Sequence, residues 1–179
     1  GSFRTGGYAN YTQSKALKLA TANRCINLIS DSLASLPINP YKYNSIEGWK
    51  YIDYTSNLFN LLNVQPNNFT SSYMFKKLMV VNILTKGNAY ILITRNKKGD
   101  VVKLDLLLND FVTVVNDKGD IKYNYSVNNT TYDKTQVIHI MNFTIDGFTG
   151  ISVLEYASEV LASAYQAETH AKNFFSGAM

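Results

Sequence analysis

Apolar side chains return at alternating steps of three and four from Thr12 to Leu36: Leu19, Ala22, Ile26, Ile29, Leu33 and Leu36. That spacing predicts an amphipathic helix, with Thr12 or Ser14 as its cap and Pro37 as its stop. "INPYKY" and "WKYIDY" then read as two strands around the turn "NSIEG". Residues 56–63 predict a short helix that "VQPNNFT" breaks. Thr70 or Ser71 caps a second long helix, Ser72 to Lys86, whose apolar residues lie almost all round it; such a helix is expected to be buried on most sides. Five strands follow, at Asn88–Arg95, Val101–Leu108, Phe111–Asn116, Ile121–Val127 and about Thr131–Met141, joined by the turn-like "NKKGD", "ND", "DKGD" and "NNT". This block reads as an antiparallel meander. After the loop "NFTIDGFTG", a last helix is expected from about Ser152 to Phe175, with Glu155 and Glu159 near its start and Lys172 near its end, as the helix dipole favours. The fold class is α+β, with a long N-terminal helix and a buried helix on an antiparallel meander, closed by a C-terminal helix.

The segment "KGNAYILITRNKKGD", Lys86 to Asp100, has the glycines and lysines of a phosphate loop. A phosphate loop needs the order strand, glycine loop, helix. Here the order is helix, Gly87, strand. Gly87 fits the left-handed residue that ends a helix, and Gly99 fits a hairpin turn. The segment therefore predicts a helix-to-hairpin hinge.

Composition adds bounds rather than chemistry. The chain has 179 residues, 46% hydrophobic and 17% charged, with 13 tyrosines and a net charge of +4. It suits one domain. The lysines are scattered singly or in pairs, so the basic balance permits contact with nucleic acid without building an arm for it. Cys25 is the single cysteine, which rules out an intramolecular disulfide. No apolar run approaches the roughly 18 residues of a membrane-spanning helix. Residues 1–11 are read as a flexible segment that includes a Gly-Ser cloning scar, and 12–179 as one domain.

Three features are candidates for chemistry. His139 lies in "QVIHI", where alternation places it with Val137 and Met141 on one face. The other histidine, His170, and Cys25 are far away in sequence and lack ligand spacing. Nor is there a G-x-S-x-G elbow. His139 is read as a packed strand residue with a satisfied hydrogen bond, against the alternative of a hydrolase centre. "DGFTG", Asp146 to Gly150, reads as a tight turn that aims the last helix, against an anion site at its start. Ala157, Ala164 and Ala171 recur at heptad spacing beside Val160, Leu161, Phe174 and Phe175; they suit either packing on the chain's own sheet or a helix contact elsewhere.

Several short motifs occur in a fixed order: Ser35-Leu36-Pro37, Pro66-Asn67, Gly87-Asn88-Ala89-Tyr90, Ile138-His139-Ile140, Asp146-Gly147 with Gly150-Ile151-Ser152, and the terminal Phe-x-x-Gly-Ala. In that order, from about Gln13 to Met179, the chain resembles the portal proteins of tailed bacteriophages. It departs from the family at Val153, where proline is common at the first turn of the helix. Its shorter length suggests an N-terminal piece ending before the stem and clip. The resemblance implies an outer wing-like α+β body within a homo-oligomeric ring, usually of twelve subunits, at one capsid vertex. It implies partners in the terminase large subunit, the major capsid protein, the head–tail connector and double-stranded DNA in the channel, and location in the virion. It implies no membrane partner, cofactor, metal or catalytic residue. Structural roles are expected for Pro37, Pro66, Asn67, Gly87, Asn88, Tyr90, His139, Asp146, Gly147, Gly150 and Ser152. A basic nucleic-acid-binding module without catalysis is the alternative.

Overall fold

The computed structural model describes the backbone of residues 6–159 and the side chains of residues 20–159. The elements are α1 (Gly6–Ala34), β1 (Tyr41–Asn44), β2 (Trp49–Ile52), α2 (Asn57–Asn63), α3 (Ser72–Lys86), β3 (Asn88–Arg95), β4 (Val101–Leu106), a 3-10 turn (Asn109–Phe111), β5 (Val112–Asp117), β6 (Asp120–Tyr125), β7 (Thr130–Asp133) and β8 (Val137–Met141). Residues 153–159 begin a further helix, α4. The α+β class holds.

The meander does not. The strands form two three-stranded antiparallel sheets, ordered β4-β3-β8 and β5-β6-β7, beside a separate β1-β2 hairpin. The expected strand from Thr131 to Met141 is two strands. Asp133 breaks it by accepting bonds from the Thr135 N–H and hydroxyl, while its carbonyl accepts from Gln136 N–H. Freed by that turn, β8 crosses back to pair with β3, with Tyr90 opposite His139 and Asn88 opposite Met141.

β3 is therefore central and covered on both faces, which is why "AYILI" is a continuous apolar run rather than an alternating one. Ile91 and Ile93 face Leu61 of α2 and Phe75 of α3. Tyr90 and Leu92 face Tyr123 and the second sheet. The layers are helices, sheet, sheet. Positive φ at Lys118 and Gly119 makes the tight β5–β6 turn.

Three helix expectations change. α1 starts at Gly6, so residues 6–11 of the segment read as flexible are helical, and Thr12 and Ser14 lie inside the helix rather than capping it. No proline interrupts the chain before Pro37, and helix propagates cheaply once nucleated. The buried seam of α1 is not the predicted leucine stripe. Ser30 and Ala34 are buried, whereas Ile29, Leu33 and Leu36 are exposed. Small residues let α3 come close, and the four-residue step through Ala22, Ile26, Ser30 and Ala34 wins over the bulkier one. α3 is not covered on most sides either: Phe75 and Val80 are buried, but Tyr73, Met74 and Leu78 are exposed. One flank of α3 packs on α1 and another on β3, leaving a third uncovered among the described residues.

The C-terminal end of α1 is held across the helix pair. Pro37 follows it, and the buried Lys76 Nζ donates to the Leu36 carbonyl at 2.6 Å. A cation there suits the negative end of the helix dipole. Asp31 accepts from Tyr73 Oη and pairs with Lys77, both at 2.6 Å, which holds its carboxyl below the usual range.

Candidate functional site: the Gly87–Gly150 junction

Most of the motif residues meet at one place. The end of α3, the start of β3, β8 and the loop into α4 converge there. Ser71 caps the start of α3 by accepting from the Met74 N–H, and Gly87 ends it in the left-handed conformation at φ 77, donating its N–H to the Ile83 carbonyl. The Gly87 carbonyl then accepts from Asn142 N–H at 2.8 Å. Gly87 and Gly150 touch backbone to backbone. A Cβ on Gly87 would lie 2.4 Å from the Gly150 oxygen, and a Cβ on Gly150 would lie 2.0 Å from the Gly87 oxygen. Neither contact leaves room for a methyl group.

Asn88 fastens this contact. Its Nδ2 donates to the carbonyls of Lys86 (3.1 Å) and Gly150 (2.9 Å), and its Oδ1 accepts from Gly150 N–H (2.7 Å). Two carbonyls and one backbone N–H fix which end of the amide is which. Oδ1 also lies 2.8 Å from His139 Nε2, so that nitrogen must carry the proton. The backbone carbonyl of Asn88 accepts from Asn109 Nδ2.

His139 stacks on Tyr90 at 4.4 Å between ring centroids and meets Tyr123 edge-on at 5.6 Å. Burial pulls its pKa down from 6.5 to about 4, against the opposing pull of the Asp146 charge. Burial likewise pushes Tyr90 up to about 12. At neutral pH both are uncharged in a packed aromatic cluster.

The loop into α4 closes on itself. Asp146 Oδ1 accepts from the N–H groups of Phe148 (2.9 Å) and Thr149 (2.7 Å), and its Oδ2 accepts from the Thr149 hydroxyl. These bonds hold its carboxyl far below the ordinary range, the Thr149 hydroxyl contributing most. Gly147 takes positive φ in this turn, donating to Thr144 Oγ1. Ser152 is buried and caps α4: its Oγ accepts from Glu155 N–H and donates to the Leu84 carbonyl. The start of α4 is thus tied back to α3.

The remaining motif residues lie elsewhere. Pro66 is fully buried, and its carbonyl accepts from Leu104 N–H at 2.9 Å. Asn67 is buried too: Nδ2 donates to the Leu104 carbonyl, and Oδ1 accepts from the Phe69 and Thr70 N–H groups. This pair continues the sheet past β4, satisfying an edge that would otherwise be open. Pro37 is at the end of α1.

The sequence reading missed Asn142, Asn109 and Lys76. Asn142 Nδ2 donates to the Ile151 carbonyl at 3.3 Å. The signal available was weak: an asparagine just past a strand or before a 3-10 turn, in a chain with many asparagines. The expected alanine stripe is testable here only at Ala157; Ala164, Ala171, Val160, Leu161, Phe174, Phe175, Lys172, His170 and the terminal "FFSGAM" lie outside the described residues.

Chemically, the junction binds itself. His139 gives its Nε2 to Asn88, and Asp146 gives its carboxylate to the N–H groups of Phe148 and Thr149 and to the hydroxyls of Thr144 and Thr149. Among the described residues no three His, Cys, Asp or Glu side chains are grouped to hold a metal, and no helix is long and apolar enough to cross a membrane. Lys42, Lys77, Lys86, Lys103 and Lys122 each pair with an aspartate, so five of the 17 basic side chains are balanced locally.

Known proteins share this chain's pattern. The chain is 28% identical over 171 residues to the portal protein of Enterobacteria phage HK97, covering 94% of this chain and 40% of that relative. The fold matches the neck of an empty gene transfer agent (GTA) particle computed with C6 symmetry, with a TM-score of 0.58, 24% identity, and 83% of this chain and 40% of that one covered. It also matches the neck of the native particle computed with C12 symmetry, with a TM-score of 0.55, 22% identity, and 83% and 39% covered. An HK97-family phage portal protein from Corynebacterium diphtheriae gives a TM-score of 0.53 at 15% identity, with 89% and 48% covered. The chain spans about two fifths of the length of the curated relative. The family model described as phage portal protein matches residues 20–179, taking in α1 from its middle, the interlocked Gly87–Gly150 junction and everything after it; the chain belongs to the phage portal protein family.

Proposed function

We propose that this chain is the outer α+β body of a portal subunit, and that the full-length protein closes into a ring at one capsid vertex. DNA passes through that ring. Terminase docks on it during packaging and the head–tail connector afterwards. The observation that carries the reading is the family match over residues 20–179. The C6 and C12 symmetry of the similar GTA necks supports a ring, and twelve subunits is the expected number. The geometry supports a scaffold role. The junction spends its polar groups on fixing α4 to the α3–β3 hinge, which is what a body that must hold its shape under load requires.

The test is assembly of the full-length protein. Native mass measurement and electron microscopy should show closed rings of a single subunit number. A full-length protein that stays monomeric at tens of micromolar would overturn the reading. Tight, salt-sensitive DNA binding by that monomer would point instead to a nucleic-acid-binding module.

A further inference from the structure

Among the described elements, the β1–β2 hairpin packs closely on none but itself. Tyr41 (60% exposed) and Tyr43 (64%) lie on one face, by their pairing with Ile52 and Lys50. Trp49 (50%) and Tyr51 (41%) lie on the other, and Ile46 (94%) is at the tip. Each face thus leaves two rings, about 200–250 Å² of aromatic surface, in the open.

The arm is nonetheless built. Its base is closed within the hairpin, where buried Asp53 pairs with Lys42 at 2.9 Å and its N–H donates to the Pro40 carbonyl, and it is tied to α2 just before β1, where Ile38 exchanges two bonds with the Asn63 side chain. Its tip is preset. Asn44 Oδ1 accepts from the Ile46 and Glu47 N–H groups, and Glu47 Oε2 accepts from Asn44 Nδ2 and from the Trp49 indole at 2.6 Å. Trp49 and Tyr51 lean together at 5.3 Å. A two-stranded hairpin is marginal in water, yet this one carries aromatic rings on both faces, and the Trp49–Tyr51 pair on one of them is held in place. Tryptophan and tyrosine held in place before binding are what interface hot spots use.

We propose that this hairpin docks into a cleft of the neighbouring copy of the same chain. The inference rests on the ring reading above. A closed ring of more than two copies is head-to-tail, so each copy must offer one surface to one neighbour and a different one to the other. An arm with exposed aromatic rings on both faces suits the inserted half of such a contact. Charge argues against nucleic acid as the occupant: Lys42 and Lys50 are matched by Glu47 and Asp53, so the arm brings no net positive charge to a phosphate backbone.

The test uses the full-length protein with a photo-crosslinking residue in place of Tyr43 or, separately, Trp49, and with Lys97 in the exposed β3–β4 turn as the control position. Irradiated rings should give a ladder of linked subunits from the hairpin positions and none from Lys97. Intact rings whose hairpin links stay within one chain, or run to DNA, overturn the docking arm and leave the ring standing. Absence of rings in the unsubstituted protein overturns both. A Trp49→Ala/Tyr51→Ala variant, its fold checked by circular dichroism, should need about tenfold more protein to assemble, the equivalent of about 1.4 kcal/mol per contact; assembly at the wild-type concentration overturns the proposal.

Discussion

Asn88 makes four side-chain hydrogen bonds that tie Lys86, Gly150 and His139 together, so its removal should be costly in a defined way. Asn88→Ala leaves the carbonyls of Lys86 and Gly150, the Gly150 N–H and His139 Nε2 without their partner. A typical hydrogen bond contributes about 1 kcal/mol net, and water entering this half-buried site recovers part of the loss, so the expected cost is about 2–3 kcal/mol. For a chain of this size that lowers Tm by about 4–12 °C. Asn88→Asp discriminates further. It keeps an acceptor for Gly150 N–H and His139 but replaces the donor by an oxygen facing two carbonyls, at 3.1 and 2.9 Å. With a charge that is also partly desolvated, it should be worse than alanine by about 1–2 kcal/mol. Urea unfolding at pH 8 followed by circular dichroism measures both. An Asn88→Ala cost below about 0.5 kcal/mol, or an aspartate variant more stable than the alanine one, would refute the assigned network.

Gly87→Ala should cost about 3 kcal/mol or more, because it adds a left-handed penalty to a backbone collision, whereas Gly99→Ala, with positive φ but open space, should cost only about 1 kcal/mol; equal urea midpoints for the two would deny the glycine-on-glycine contact. His139 gives a pH signature. Its folded pKa is about 4 against an ordinary 6.5, so as pH falls the unfolded chain takes up its proton first. This contribution is full above about 6.5, declines between 6.5 and 4 and changes no further below that; allowing for partial exposure, it amounts to about 2 kcal/mol, and His139→Phe should flatten the stability–pH curve in that window. Asn67→Ala should cost about 2 kcal/mol and speed hydrogen exchange at the Leu104 amide, since the paired edge at Pro66 and Asn67 loosens; unchanged exchange there would show that Asn67 does not hold it.

Local chemistry was legible in the sequence. The order helix, Gly87, strand excluded a phosphate loop, because a residue that must end a helix cannot also start one at its amides. The capping Ser71, the turns at Gly99 and Gly119, the stop at Pro37 and the tight turn at Asp146-Gly147 follow from φ preferences and short side chains that bond nearby backbone. The ordered motifs also carried the family. Pairing at a distance was not legible. That β8 leaves the meander to join β3, that Ser30 and Ala34 rather than the leucines face α3, and that Asn88 reaches Gly150 across 62 residues depend on which surfaces meet. Periodicity tells which side of an element is apolar, not what covers it. The hydrogen bonds of Asn88 and the contact of two glycines exist only once the tertiary structure brings distant backbone within 3 Å.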